Sequence, residues 1–189
     1  MLYVVRYACE GLSRREELSH QRSLAQQLLR RALWEERGLR LSDLRQERTP
    51  EGKPYFPDCS IHFNLSHCHG MVCCALSAFP VGVDGEGPRP FREALARRAC
   101  TQEELSWLLA QPDHGAAFLT LWTLKESVMK LTGQGLAYGL KHAAFTFEEG
   151  APRFLPGGVE LSQYWLPGGF VVAAASRKER FLAPHMLEL

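Results

Sequence analysis

The sequence predicts an α+β fold of two pseudo-duplicated subdomains, residues 1–87 and 88–189, each a helix packed on a small, mostly antiparallel sheet. Two observations carry this. Long amphipathic text and then short strand text occur twice in the same order, with the Pro/Gly break GEGPRP (85–90) between the two runs. The chain, 189 residues with 46% apolar content, is also large enough for two small units sharing a core, with a site expected in the cleft between them.

The elements follow in order. LYVVRYAC (2–9) reads as a strand. From Ser13 to Arg37 the residues Leu18, Leu24, Leu28, Leu29, Ala32 and Leu33 recur at helical spacing, and Gly38 ends the run. LSDLRQE and the turn TPEGKP come next, followed by strand text in IHFNLSH, MVCCALSA and VGVD. The second half has helical text from Arg92 to Gln111 and a stronger helix from Gly115 to Leu131. AAFTFEE, PRFLP, VELSQYWL and GFVVAAAS are its strand candidates, and the tail after Ser176 reads as a surface segment.

Bulk properties narrow the function. A formal net charge of +1 gives no global field toward nucleic acid or an anionic membrane, so neither is expected as a partner. The apolar run at the N-terminus is shorter than a signal-peptide core and is interrupted by Arg6, and no later stretch approaches the roughly 20 apolar residues of a span. A cytoplasmic location is expected. Six cysteines without a CxxC pair favour reduced thiols.

Four segments could carry chemistry. In VGVDGEG an apolar strand ends at Asp84, and strand alternation places Glu86 on the same side, two hard oxygen ligands suited to Mg²⁺. An acidic turn is the plainer alternative. In LWTLKESVMKLTGQG, Trp122, Glu126 and Lys130 are four apart and form a helical stripe, either an ordinary solvated pair or a third carboxylate with a lysine for phosphate. IHFNLSHCHG offers Ser66 and His67 as donors to a phosphate; alternation separates His67 and His69 from His62 and Cys68, which opposes a metal cluster. ERTPEGKPYF supplies Arg48 and Lys53 around a turn.

In order and spacing, RTPEGKPYF, FNLSHCHG, VGVDGEG and WTLKESVMKLTGQG closely resemble the successive motifs of the Sfp-type 4′-phosphopantetheinyl transferases, over about Arg48 to Leu136. The resemblance implies two related α+β subdomains with coenzyme A and Mg²⁺ between them. It implies Asp84, Glu86 and Glu126 as metal ligands, and Lys130 at the pyrophosphate. Lys53, Ser66 and His67 fall at positions that contact nucleotide phosphates, and Arg48 at one used for the 3′-phosphate. Glu104 matches an acidic residue at the entrance to the last helix. The implied reaction moves the phosphopantetheine arm to a serine of an apo carrier protein, with Lys130 stabilising the leaving 3′,5′-adenosine diphosphate and Glu126 as the candidate base.

Three departures from the family pattern stand out. The basic segment before the first helix is reduced to SRREELSHQRS, where Arg14, Arg15 and Arg22 are the available substitutes. Gly85 replaces an aliphatic residue, which loosens the backbone beneath Glu86. The chain is also short for its type. Alternative readings are a member that binds coenzyme A or a carrier protein without turnover, and another Mg²⁺-dependent phosphoryl transferase. The first is opposed by the presence of all three acids and Lys130; an NTPase is opposed by the lack of a GxxxxGK[ST] loop. Two pseudo-equivalent halves let a single chain complete the cleft, which favours a monomer.

Overall fold

A computed structural model describes residues 1–188. Strand β1 (Leu2–Arg6) leads into helix α1 (Arg14–Arg37). Ser13 caps α1 in a reciprocal box with Glu16, and Gly38, at φ 63°, closes it in the left-handed conformation that glycine adopts without penalty. The hairpin β2 (Glu47–Arg48) and β3 (Pro54–Tyr55) precedes β4 (His62–Cys68), β5 (Met71–Ser77) and β6 (Val81–Glu86). The stretch 92–111 is two helices, α2 (Glu93–Ala99) and α3 (Gln102–Leu109), because Thr101 starts a new capping box with Glu104. Helix α4 (His114–Thr132), hairpin β7 (Phe145–Glu148) and β8 (Ala151–Phe154), and strands β9 (Glu160–Leu166), β10 (Phe170–Ser176) and β11 (His185–Leu187) complete the chain.

Four layers result. The first sheet has the order β11-β1-β5-β4 and the second β6-β10-β9. In β5, Val72, Cys74 and Leu76 face Leu24, Leu28, Leu29 and Leu33 of α1. The alternate residues Met71, Cys73 and Ala75 face Val81, Val83, Val172 and Ala174 of the second sheet. Across β10, Ala173 and Ala175 turn the other way and pack with Leu121, Leu124 and Val128 of α4. Helix on sheet thus occurs twice, back to back, as the repeated sequence pattern predicts. Small alanines on β10 let α4 sit close to the second sheet.

Two strands depart from the sequence reading. β6 hydrogen-bonds to β10, with Asp84 opposite Ala173, so the break after Glu86 marks where the chain leaves the second sheet and the first sheet has already ended at β5. The tail is built into the fold: β11 runs parallel to β1, pairing Tyr3 with His185, and Phe181 is buried against both sheets. Alternation alone could not reveal a three-residue strand, two of its residues exposed, added to a sheet edge. No helix among the described residues is long and apolar enough to cross a membrane.

Candidate active site at the junction of the two sheets

The site is set by how closely α4 lies on β6. A Cβ at Gly82 would stand 2.1 Å from the Ser127 carbonyl and 2.2 Å from the Leu131 nitrogen, so only glycine permits this contact. Two residues on, Asp84 meets Lys130 at 2.6 Å. At the other end, Arg89 lies 3.7 Å from Glu86 with its guanidinium 5.2 Å from the Trp122 ring. β6 therefore runs from Gly82 to Glu86 as α4 runs back from Lys130 to Trp122, and the Trp122, Glu126, Lys130 stripe lies along the acidic side of β6.

A third element closes the arrangement. Ser66 of β4 donates from Oγ to Asp84 Oδ1 at 2.9 Å, and Lys130 Nζ donates to the same Oγ at 2.8 Å. Nearby, Asn64 Oδ1 accepts from the Val83 nitrogen at 2.8 Å. These side-chain bonds join β4 to β6 where no backbone ladder does. Asp84 is only 5% exposed, and its second oxygen, Oδ2, is buried without a hydrogen-bond partner. A buried carboxylate oxygen left bare is costly, and such atoms mark places where an ion or water completes the shell.

Electrostatics point the same way. Burial, then the charge of Asp84, pushes Glu86 above the usual carboxylate range, with Arg89 opposing. Glu126 is raised by burial and by Asp84. For Lys130 burial pulls downward, but the charge and hydrogen bond of Asp84 more than offset it, leaving the ammonium above its ordinary value. The bare, desolvated Asp84 Oδ2 is a hard-oxygen donor of the kind Mg²⁺ takes, and Glu86 and Glu126 are the further acids of the same seam. The three carboxylates are not drawn together: among the described residues, the group of three metal-capable side chains whose ligand atoms all lie within 4.8 Å is Cys9, Glu17 and His69. Lys130 takes Asp84 and Arg89 takes Glu86, which holds two of the acids on separate cations.

The other sequence-predicted residues divide. His67 is exposed, and burial, followed by the charges of Lys130, Arg22 and Arg14, lowers its pKa. Arg48 is exposed on its hairpin, donating to the Gly52 carbonyl at 2.7 Å. Ser66 and Lys53, expected to contact phosphate, both hold partners within the protein. Ser66 is buried and its hydroxyl is occupied by Asp84 and Lys130. Lys53 donates to the carbonyls of Val81, Lys130 and Leu131 at 2.9, 2.7 and 3.2 Å, so its three protons tie the end of α4 to the start of β6; burial brings its pKa down to about 8.

Glu104 is structural. It is 1% exposed, pairs with Lys125 at 2.7 Å and accepts from the Phe145 nitrogen at 2.8 Å. Lys125 completes its shell on the Leu140 and Ala143 carbonyls. Gly85 is no loosening device either: a Cβ there would meet Met71 at 2.7 Å and Cys73 at 3.0 Å, so it is a packing glycine between the sheets. Sequence reasoning missed Gly82, Asn64 and Lys125. The alternation that pairs Asp84 with Glu86 also pairs Gly82 with them and Asn64 with Ser66, a signal that was available. A cavity of about 850 Å³, lined by Trp107, Thr120, Phe147, Gln163 and Trp165, lies away from all of these residues.

Fold and site define an α+β protein whose two sheets meet at an acidic seam beside a lysine, an arrangement suited to a divalent cation and phosphate. Residues 80–174, half of the chain, match the model of the 4′-phosphopantetheinyl transferase superfamily, and the chain belongs to that superfamily. It is 38% identical over 120 residues to 4′-phosphopantetheinyl transferase psf-1 of Bacillus pumilus, covering 62% of this chain and 52% of that one. It is 34% identical over 138 residues to 4′-phosphopantetheinyl transferase Sfp of Bacillus subtilis, covering 71% and 61%. The chain thus spans between half and two thirds of the length of these relatives. A holo-[acyl-carrier-protein] synthase of Thermotoga maritima aligns over 54% of this chain and 64% of its own, with TM-score 0.46 and 22% identity.

Proposed function

We propose that this chain transfers the 4′-phosphopantetheine arm of coenzyme A to a serine of an apo acyl or peptidyl carrier protein, releasing 3′,5′-adenosine diphosphate. Membership of the superfamily supports the reaction class. The observation that carries it to this chain is the shared bond of Lys130 and Ser66 on one oxygen of Asp84 while the other oxygen stays buried and bare. We assign Asp84, Glu86 and Glu126 to Mg²⁺, which when bound would neutralise charge building on the pyrophosphate.

The chain's own groups account for the remaining steps. Arg48, Arg14, Arg22 and His67 supply cationic or donor groups for the nucleotide phosphates, and the charges of Lys130, Arg22 and Arg14 all act on His67. Lys130 keeps one ammonium proton beyond those given to Asp84 and Ser66, and its side chain is 28% exposed, so that proton can reach a bound diphosphate. Its fixed position makes it most effective as the leaving group gains charge. Glu126, one turn along the same stripe, is assigned the proton of the attacking serine. Lys53 and Ser66 act indirectly by holding α4, β6 and β4 in register. The proposed setting is the cytoplasm.

The test is mass spectrometry of several apo carrier proteins incubated with the chain, coenzyme A and Mg²⁺. A gain of one phosphopantetheine arm on the carrier serine is expected. An unmodified carrier in every reaction would remove the reading.

A further inference from the structure

Away from this site, Cys9, His69 and Glu17 form a line of hydrogen bonds. Cys9 Sγ lies 2.9 Å from His69 Nε2, and His69 Nδ1 lies 2.7 Å from Glu17 Oε1. Glu17 is itself fixed: Tyr7 Oη donates to Oε1 at 3.0 Å and Gln21 Nε2 at 3.4 Å, and both of those side chains also bond the Cys68 carbonyl. Glu17 is 7% exposed, whereas the His69 side chain is 72% exposed and Cys9 is partly open to solvent. Burial opposes ionisation of Glu17, but its bonds from His69 and Tyr7 outweigh this and hold the carboxyl below its ordinary value. A thiol, an imidazole touching it through one nitrogen and a carboxylate holding the other nitrogen have the geometry of an activated nucleophile.

We infer that Cys9 is a nucleophilic thiol, with His69 as its base and Glu17 positioning the imidazole, and that it exchanges with low-molecular-weight disulfides. His69 takes the Cys9 proton, and the sulfur attacks one sulfur of R–S–S–R. A Cys9–S–S–R bond forms, the original S–S bond breaks, and the departing thiolate receives the proton from His69; the small disulfide is the oxidant consumed. The other thiols are poorly placed for this. Burial pushes Cys68 and Cys74 up to about 12, Cys100 up to about 11 and Cys73 well above its ordinary value. A metal shared by all three residues fits less well, because His69 offers one nitrogen to Cys9 and the opposite one to Glu17, and one ion cannot sit on both.

The experiment treats the whole chain with glutathione disulfide near neutral pH and follows each cysteine by peptide mass spectrometry. Cys59, also partly exposed, is the internal reference. Cys9 should react about tenfold faster than Cys59, because His69 is in place to take its proton as the sulfur attacks. H69Q, an exposed change that circular dichroism should show to be folded, should bring Cys9 down to the Cys59 rate. In E17Q, which keeps an acceptor but loses the charge, the ultraviolet thiolate absorbance that C9S removes should fall. Equal rates for Cys9 and Cys59, or a Cys9 rate indifferent to H69Q, would overturn the inference. So would full protection of Cys9 by equimolar zinc, which would make the cluster a metal site.

Discussion

Lys130 Nζ and Ser66 Oγ converge on the same oxygen of Asp84, at 2.6 and 2.9 Å, so three elements far apart in sequence meet on one carboxylate while its other oxygen stays bare. The first prediction tests what the bare oxygen is for. Asp84→Asn preserves volume and an acceptor but removes the charge. Transfer should fall by about 100-fold or more, the scale of losing a principal electrostatic contact. Mg²⁺ should raise the melting temperature of the wild type and leave that of the variant unmoved, since only the first binds the ion. Equal stabilisation of both would detach Asp84 from the metal.

Gly82 separates packing from chemistry. A methyl group there falls 2.1 Å from the Ser127 carbonyl, so α4 must move off β6. Gly82→Ala should cost about 1–3 kcal/mol or more by overpacking. Turnover per folded molecule should drop as well, because Lys130 moves with the helix. Chemical denaturation and the transfer assay would report the two effects.

Lys53 is read differently by sequence and structure, and a single variant distinguishes them. Lys53→Met leaves three carbonyls without their donor and should destabilise by about 1–3 kcal/mol. The KM for coenzyme A should hardly change. A large rise in KM with unchanged stability would restore the phosphate role.

The Glu104–Lys125 pair predicts a non-additive result. Both side chains are fully buried, so Lys125→Met strands a carboxylate and should cost about 3–5 kcal/mol. Adding Glu104→Gln removes the stranded charge and should recover part of that loss, with calorimetry following both variants.

His67 reports on the phosphate side. Burial and the charges of Lys130, Arg22 and Arg14 depress its pKa, so in the free protein its ring should titrate below ordinary histidine. Depression means the folded state resists protonation, so this group lowers stability as pH falls through the unfolded value. Coenzyme A, bringing phosphates into the cluster, should raise the pKa, and Arg22→Ala should raise it without ligand. Ring-proton NMR across a pH series measures both.

The fold was legible where pattern is physical. Leu24, Leu28 and Leu33 recur at helical spacing because one face of α1 is buried, and the VGVDGEG alternation does place Asp84 and Glu86 on one side of β6. What escaped was pairing at a distance. Nothing local says that β6 bonds to β10, nearly ninety positions on, or that β11 lies beside β1. The roles of Lys53 and Lys125 escaped for the same reason: an ammonium whose protons are all taken up inside the protein, by carbonyls or by a buried carboxylate, looks, as a letter, like one waiting for an anion.

The exchange of strands between the sheets has a mechanical corollary. Cutting the chain after Gly87 would strip β6 from β10 and leave a bare ladder edge on a buried alanine-rich strand, prone to annealing with other chains. Neither fragment should be well behaved by itself, and the two should regain order when mixed. An interlocked construction of this kind resists opening like a book, so whatever enters the seam must arrive from its rim.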